Sequence, residues 1–457
     1  MTGNHGEDAV IAAVLLDLSA DDQGVARQAE AALGSLTWGR GVGAITQDRL
    51  QYFLWYELPL KWIGSLDDRL DIAESLARAL DLLGLARYAA VCRSQDTRAI
   101  LEAYDRDPGH GLAAFQRANA ASGIHPPDLP ELTWGVMMGP IEAALFTSVA
   151  EFLELAVSSG ELVPGTHGWW TRQQGLVRNR LGAPAEALGG ETLLQAIQAE
   201  RLLGWVDGGR SAIRRTVLSP LVDRLLDPAP FPSGATDASF SLRWLLEQLV
   251  QGVLLTQTGN LGQKFVQAAG PRFGWDVPRL PRTEDDVIGL HLVRQFAHRL
   301  GLSRRSGRRL VLTARGREAL REPERLWRCA ARGLIGTDPF VALAGEMCLA
   351  MLINVEVIPA SVLRASVFVA AYEVGFRDSR TGDPPDDYAV RWAIGETLNL
   401  CGALGLLSVG SSWRDRSYGL NQVGNATALE ALRAACLAPP IGCHNFLPSA
   451  RVSQNSR

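Results

Sequence analysis

The sequence predicts a mainly α-helical protein, with a helical N-terminal half followed by two tandem units that each carry a short β-hairpin. Three observations predict this fold class. Apolar residues recur at helical spacing throughout the N-terminal half. A break rich in proline and glycine, residues 227–234, ends this half. Beyond residue 240, two segments carry the same landmark residues in the same order. These run from Gly274 to Gly316 in the first segment and from Gly375 to Gly424 in the second.

The composition is that of an ordinary globular protein of about three domains. Of the 457 residues, 47% are hydrophobic and 21% are charged, which excludes a disordered chain and a fibrous repeat. Only two of the 45 basic residues are lysines, Lys61 and Lys264, and they precede Trp62 and Phe265. A phosphate-binding loop of the Walker type needs Ser or Thr after its lysine, so that site is excluded.

Two Ser-x-x-Asp motifs predict helix starts in the N-terminal half, at Ser19–Asp22 and at Ser65–Asp68. The serine hydroxyl of such a motif accepts a hydrogen bond from a backbone N–H that the first helical turn leaves without a partner. We expect one all-helical domain over residues 1–230, with a second proline-rich break at 124–130 as a sub-boundary.

The most aromatic segment of the chain, residues 52–62, allows two interpretations. Its side chains form either a cluster that faces a ligand or a buried anchor between helices. The second interpretation is favoured, because aromatic side chains bury more area than any others.

The two units beyond residue 238 share an element order: helix, short strand, helix, helix, two-stranded hairpin, helix. Their landmarks correspond in pairs: Gly274 with Gly375, Asp285-Asp286 with Asp386-Asp387, Gly301 with Gly405, and Thr313-x-x-Gly316 with Asn421-x-x-Gly424. We expect one unit over residues 238–334 and another over 337–438, followed by a flexible tail over 439–457.

This order is that of a winged helix-turn-helix, in which the hairpin is the wing. The segment from Leu312 to Leu320, Leu-Thr-Ala-Arg-Gly-Arg-Glu-Ala-Leu, resembles the second wing strand and following helix of MarR-like and PadR-like transcription regulators. The second unit departs from this pattern, with Asn421 at the threonine position and a longer wing tip over 408–417. The whole chain also resembles multi-helical actinobacterial proteins, a resemblance that implies no activity.

Charge is concentrated in the first unit. The segment from Arg294 to Arg332 carries a net charge of +9. The whole chain carries −4, so the rest of the chain sums to −13. The segment contains twelve arginines, at positions 294, 299, 304, 305, 308, 309, 315, 317, 321, 325, 328 and 332.

The wing of the first unit is the most basic part of this segment. A two-residue Ser306-Gly307 turn would set Arg305 opposite Arg308 and Arg304 opposite Arg309. Like charges in opposite positions destabilise a hairpin, so the pattern favours binding of a polyanion, whose phosphates guanidinium groups bind in bidentate fashion. Contacts with four to six phosphates predict that log affinity falls against log salt with a slope of about −4 to −5. The alternative is a solvated hairpin tip in an arginine-rich protein.

The helix before the wing supplies four candidates for contact with a nucleic-acid groove, namely Arg294, Gln295, His298 and Arg299. A capping box at Thr283-x-x-Asp286 should fix the start of this helix. The loop after Gly274 is longer than the turn of an ordinary helix-turn-helix.

The sequence predicts neither an enzyme nor a metal or cofactor site. No motif of a metalloprotease, serine hydrolase or dinucleotide-binding enzyme occurs, and no C-x-x-C pair is present. His291 and His298 lie seven positions apart without further ligands at metal-binding spacing. The six cysteines are scattered, and most lie in apolar helical stretches, which favours reduced thiols and a cytoplasmic location. The longest uncharged runs, 397–413 and 434–450, are shorter than a membrane-spanning helix, so no membrane contact is expected.

The predicted function is therefore that of a non-catalytic nucleic-acid-binding protein, regulatory or architectural. Its first unit would bind nucleic acid, with DNA as the favoured interpretation and RNA as the alternative. The predicted binding residues are Arg294, Gln295, His298, Arg299, Arg304, Arg305, Arg308 and Arg309. The alternative is a protein-interaction scaffold that uses tandem winged helices as docking modules. In that case the second wing, with Trp413, Arg414, Asp415 and Arg416, would contact a protein partner.

Overall fold

The computed structural model describes residues 5–236, 241–275, 281–410 and 416–438. It is mainly helical with two small antiparallel sheets, which confirms the predicted helical class. The predicted tail and half of the predicted second wing tip, including Trp413, Arg414 and Asp415, lie outside the described residues. Among the helices of the described ranges, none combines the length and the apolar character needed to cross a membrane.

Two compact units divide the chain. Unit 1 comprises Met1–Trp134 and Pro140–Ala196, and unit 2 comprises Gly135–Gly139 and Ile197–Arg457. The helices that begin before this division are α1 (His5–Asp21), α2 (Gln23–Thr37), α3 (Gln47–Tyr52), α4 (Leu58–Lys61), α5 (Leu66–Leu82), α6 (Ala86–Cys92), α7 (Gln95–Arg106), α8 (Pro108–Ala121), α9 (Pro140–Ser158), α10 (Trp169–Gly182) and α11 (Leu193–Asp207). The last of them, α11, crosses into unit 2.

One of the two predicted helix starts in unit 1 is confirmed. Ser65 and Asp68 form a capping box, in which Ser65 Oγ accepts from the Asp68 N–H and Asp68 Oδ2 accepts from the Ser65 N–H. Hydrogen bonds from the hydroxyl and the N–H of Ser65 lower the pKa of the Asp68 carboxyl. The start predicted at Ser19 is wrong. Ser19 lies inside α1 and donates to the carbonyl of Leu16, while Asp22 itself caps α2.

The aromatic segment of unit 1 is a buried anchor, as expected. Phe53, Leu54 and Trp55 are buried on the π-helical turn Phe53–Glu57. The indole N–H of Trp55 donates to Thr97 Oγ1 on α7 at 2.8 Å. A buried indole N–H needs such a partner, so the segment joins helices rather than facing a ligand.

Unit 2 contains all six strands of the described chain. Its elements after α11 are α12 (Ala212–Leu218), α13 (Val222–Leu226), α14 (Ser241–Gln248), β1 (Val253–Leu254), α15 (Gln263–Phe273), α16 (Ile288–Arg299), β2 (Ser303–Ser306), β3 (Arg309–Leu312), α17 (Ala314–Arg321), α18 (Pro323–Gly333), α19 (Pro339–Asn354), β4 (Ile358–Pro359), α20 (Ala360–Val374), α21 (Asp387–Ala403), β5 (Leu407–Gly410), β6 (Ser417–Leu420) and α22 (Gln422–Leu437).

The order helix, strand, helix, helix, strand, strand, helix occurs twice in unit 2, and the first copy ends with one more helix, α18. We call residues 241–333 the first module and residues 339–437 the second module. Each has a three-stranded antiparallel sheet in which the last strand lies in the centre, with orders β1-β3-β2 and β4-β6-β5. The glycines Gly274 and Gly375, which follow α15 and α20, both have positive φ, as a helix C-cap often requires.

The residue at the start of the helix that follows the hairpin makes the same contacts in both modules. In the first, Thr313 Oγ1 accepts from the Gly316 N–H at 2.9 Å and donates to the Gly301 carbonyl at 2.7 Å. A threonine hydroxyl can do both because it is donor and acceptor at once.

Asn421 replaces this threonine in the second module without loss of either contact. Its Oδ1 accepts from the Gly424 N–H at 2.8 Å, and its Nδ2 donates to the Gly405 carbonyl at 2.7 Å. The side-chain amide thus supplies the donor and the acceptor on separate atoms. The departure at Asn421 therefore preserves the local structure.

The boundary between the compact units falls at Ala196–Ile197, whereas the sequence placed it at residue 230. The difference arises from the short helices α12 and α13, which the predicted domain 1–230 included and which pack with unit 2. Leu218 and Leu225 are fully or almost fully buried, and they belong to the same core cluster as Leu245 of the first module and Leu432 of the second. Their apolar side chains therefore pack with the modules.

Candidate nucleic-acid interface

The hairpin of the first module has a different register from the predicted one. Strands β2 and β3 pair Ser306 with Arg309, Arg305 with Leu310 and Arg304 with Val311. The two turn residues are therefore Gly307 and Arg308, not Ser306 and Gly307. Gly307 has φ of 58°, and Arg308 has no positive φ. A positive φ at the first central residue alone is typical of a type II′ turn, which favours glycine at that position.

The predicted opposition of arginines is wrong as a result. Neither Arg304 nor Arg305 faces another arginine across the hairpin. The like-charge argument therefore does not apply to cross-strand pairs. Repulsion between the arginines arises instead because four guanidinium groups lie close together on one exposed hairpin.

All four wing arginines, Arg304, Arg305, Arg308 and Arg309, are exposed. Arg305 Nε donates to the Gly307 carbonyl at 2.9 Å, and Arg309 donates to the Gln251 carbonyl at 3.4 Å. Within the described ranges, no carboxylate lies within ion-pair distance of any of the four. Their charges therefore face solvent without local neutralisation.

We expect Gly307→Ala to weaken the wing by about 1 kcal/mol, because a Cβ disfavours positive φ. The measurement is hydrogen exchange of the β2 and β3 amides, which should become faster. Arg308→Ala is the matched control, since it changes the next turn residue, where φ is not positive. Equal exchange rates in the two variants would contradict the assigned turn.

Most of the basic segment outside the wing is also free of ion pairs. Two of its arginines are bound to carboxylates in or near α18, Arg325 to Glu318 at 2.6 Å and Arg328 to Glu324 at 2.8 Å. Arg328 also lies 3.1 Å from the buried Glu430. The exposed arginines for which the described residues provide no ion pair are Arg299, Arg304, Arg305, Arg308, Arg309, Arg315, Arg317, Arg321 and Arg332.

Arg294, which the sequence assigned to groove contact, is bound inside the module. Its Nε lies 2.7 Å from Glu284 Oε1, and its Nη1 donates to the Gly259 carbonyl at 2.9 Å. Glu284 is fully buried, and its other oxygen accepts from the Leu261 N–H at 2.9 Å. The hydrogen bonds to Gly259 and Leu261 thus tie this ion pair to the loop before α15, and Arg294 presents little charge to solvent.

The other three predicted groove residues of α16 lie at the surface. Gln295 Nε2 lies 2.6 Å from His291 Nε2, and His298 Nδ1 lies 3.4 Å from the Ser303 carbonyl oxygen. Arg299 donates to the Gly333 carbonyl at 3.0 Å and lies over the Phe296 ring. Gln295 and His298 therefore keep polar atoms available, whereas Arg299 is held against α18.

The N-terminal end of α16 is acidic. The predicted capping box of Thr283 and Asp286 is confirmed, although it starts the short 3₁₀ turn Glu284–Asp286 and not α16 itself. One residue separates this turn from the start of α16. Backbone hydrogen bonds from Thr283 and Arg282 lower the pKa of the Asp286 carboxyl, which holds it ionised. Together with the exposed Asp285, this charge repels phosphate from that end of the helix.

The described residues contain no cluster of at least three His, Cys, Asp or Glu side chains that could hold a metal ion. Burial raises the pKa of the Cys92, Cys401 and Cys436 thiols to about 12, so they are protonated at neutral pH. An open groove of about 660 Å³ lies between the segment Pro230–Ser233 and the start of α22. Its lining residues include amide and hydroxyl side chains but no titratable one.

The sequence matches no protein-family model, and comparisons with curated proteins and with solved structures give no match. The interface is therefore defined by its own residues. These are the exposed wing arginines and the polar face of α16 at Gln295 and His298.

Proposed function

We propose that the first module is a winged helix that binds nucleic acid, DNA or RNA, through its arginine-rich wing. The protein would then be a non-catalytic regulatory or architectural factor. The order of its helices and strands supports this, since a helix, a strand, two helices and a two-stranded wing make up the winged helix-turn-helix. The resemblance of Leu312–Leu320 to MarR-like and PadR-like regulators points in the same direction.

One observation carries the proposal. Four exposed guanidinium groups, at Arg304, Arg305, Arg308 and Arg309, crowd a single short hairpin, and the described chain supplies no carboxylate to pair with them. Packing does not explain their presence, because none of them is buried. A phosphate backbone would neutralise all four and release counterions, which is the main source of affinity in nucleic-acid binding.

The proposed interface is smaller than the sequence suggested. The wing arginines supply the phosphate contacts, and Gln295 and His298 are the candidates for base edges. Arg294 is better explained as the partner of the buried Glu284. Arg299 is better placed to hold α18 through the Gly333 carbonyl.

Replacement of Arg304, Arg305, Arg308 and Arg309 by Ala tests the proposal. We expect loss of most of the affinity for duplex DNA and a reduction of the salt slope by about 3 to 4, since each phosphate contact contributes about 0.9. The measurement is fluorescence anisotropy of labelled DNA and RNA duplexes across a salt series. Unchanged affinity and slope would overturn the proposal.

The matched control removes the same number of positive charges elsewhere. Arg178, Arg215, Arg243 and Arg391 are each partly exposed, and each is paired with a carboxylate, so their replacement by Ala alters the net charge equally. We expect affinity and slope to stay close to those of the unaltered protein. Equal losses in both variants would indicate a response to net charge alone.

A second candidate function is that of a scaffold that docks a protein partner on the second module. The observation that favours it is α21, where Tyr388 is 62% and Trp392 is 42% exposed. Exposed aromatic side chains are enriched at protein interfaces. Copurification of one stoichiometric partner from the native host, lost on Trp392→Ser, would favour this function over the first.

A further inference from the structure

Three polar side chains lie along one side of helix α16. His291, Gln295 and His298 follow one another at intervals of four and three residues, the spacing of neighbours on a helix surface. Gln295 and His298 are exposed and His291 is half-buried, whereas Val293 and Ala297 on the other side of the helix are fully buried. The hydrogen-bonding state of the polar side therefore determines what α16 offers to a ligand.

The buried Glu284 determines which ring nitrogen of His291 carries the hydrogen. His291 Nδ1 is buried and lies 3.7 Å from Glu284 Oε1. Without a hydrogen, Nδ1 would turn a lone pair towards this carboxylate, so the neutral ring carries its hydrogen on Nδ1. Arg294 Nε lies 2.7 Å from the same oxygen, so Glu284 already has a counter-charge. The other ring nitrogen of His291, Nε2, is then a hydrogen-bond acceptor.

This acceptor fixes the orientation of the Gln295 side-chain amide. Gln295 Nε2 lies 2.6 Å from His291 Nε2 and donates one hydrogen to it. The reverse orientation of the amide would set Oε1, an acceptor, against the acceptor of the ring. The amide NH2 group has a second hydrogen, and Oε1 is an acceptor. Because Gln295 is exposed, this N–H and Oε1 are both open to a ligand.

An amide that offers one donor and one acceptor is the complement of adenine. In the major groove adenine donates from its N6 amino group and accepts at N7, and a glutamine amide can bind both. We infer that His291 is a positioning residue that orients Gln295 to read an adenine in the major groove of duplex DNA. This inference rests on the proposed function. It specifies DNA, because side chains cannot read the deep, narrow major groove of duplex RNA.

The second module lacks this arrangement. Counted from the paired glycines that follow α16 and α21, His291 corresponds to Gly395 and Gln295 to Asn399. Asn399 is exposed, but glycine has no side chain that could orient its amide. The fold of the modules therefore does not require a histidine at this position.

Selection of the full chain against a library of DNA duplexes with a random central segment tests the inference. We expect the wild-type protein to enrich sites with an adenine at one fixed position. Replacement of that A·T pair by G·C should weaken binding about 5- to 100-fold, the usual discrimination of a bidentate pair. An adenine analogue without the N7 acceptor should also weaken it. Gln295→Ala should bind the A·T and G·C duplexes equally.

Two variants of His291 separate orientation of the amide from a structural role. The amide of an asparagine replaces Nδ1 of a histidine ring, and that of a glutamine replaces Nε2. His291→Asn keeps a donor for Glu284 and should lose the adenine preference. His291→Gln keeps an acceptor for the Gln295 amide and should retain most of it. The measured quantity is the ratio of affinities for the A·T and G·C duplexes, which a change in stability alone would not alter.

The matched control is His110→Asn in unit 1. His110 Nδ1 also lies near a carboxylate, 3.8 Å from Asp107 Oδ1, and its replacement should leave the ratio unchanged. Far-UV circular dichroism checks that each variant is folded.

Two outcomes overturn the inference and leave the proposed function intact. One is a wild-type protein that binds duplexes through the wing arginines without preference for adenine. The other is an equal ratio in His291→Asn and His291→Gln, which would show that His291 does not orient the amide. A protein that binds no duplex at all would overturn the proposed function together with the inference.

Discussion

Gly316→Ala is expected to destabilise the first module by about 3 kcal/mol, the upper end of the usual cost of overpacking. A Cβ on Gly316 would lie 2.0 Å from the carbonyl oxygen of Leu302, a backbone atom that cannot move aside without shifting the start of β2. Gly424→Ala should have the same effect in the second module, where the distance to the Leu406 carbonyl oxygen is 2.1 Å. Urea denaturation followed by circular dichroism measures both changes.

Gly204→Ala in α11 is the control for these two variants. Gly204 is exposed, and a Cβ there would meet no atom within 4 Å. The substitution should stabilise the protein by about 0.5 to 1 kcal/mol, because alanine restricts the unfolded chain and fits a helix. Opposite signs at Gly204 and Gly316 are the expected result. A stabilising effect of Gly316→Ala would refute the close approach of α17 to β2.

The sequence predicted the helical class and the repeated order of elements because both depend on local signals. Helical periodicity marks each helix, and the paired glycines mark where helices end. The Ser65–Asp68 and Thr283–Asp286 boxes were predictable for the same reason, since each joins residues three positions apart. Ser19 fits the motif equally well, but its hydroxyl bonds back to Leu16 within α1.

The register of the wing could not be predicted from the apolar pattern. The predicted and observed pairings differ by a slip of two residues, and such a slip keeps every side chain on the same face of the sheet. Burial of Leu310 and Leu312 is therefore compatible with both registers. The positive φ of Gly307 distinguishes the two registers. It is a backbone angle of the turn, so the apolar pattern of the strands does not reveal it.

The role of Arg294 could not be read from the sequence either. Its partner Glu284 lies ten positions earlier, in the turn before α16, so no helical i, i+4 spacing signals the pair. The short helices α12 and α13 show a similar limit. Their leucines pack with the modules, although a proline-rich segment separates them in sequence.

Glu284→Ala should destabilise the protein by about 3 to 5 kcal/mol, the usual result of removing one partner from a buried ion pair. Glu284 is fully buried, and the Arg294 side chain is only 18% exposed. The substitution would leave the guanidinium group without its counter-charge and the Leu261 N–H without its acceptor. Chemical denaturation of the full chain measures the loss.

The matched control is Glu318→Ala, which also removes one partner of an arginine ion pair in the first module. Glu318 and Arg325 are about half exposed, although their atoms lie only 2.6 Å apart. Water already reaches both side chains and solvates the remaining charge of Arg325 after the change, so we expect an effect within about 1 kcal/mol. Arg294→Ala then separates the two roles considered for that residue. As a structural partner of Glu284 it should cost stability, whereas as a groove contact it would lower affinity for nucleic acid in a protein of unchanged stability. The buried carboxylate favours the first result.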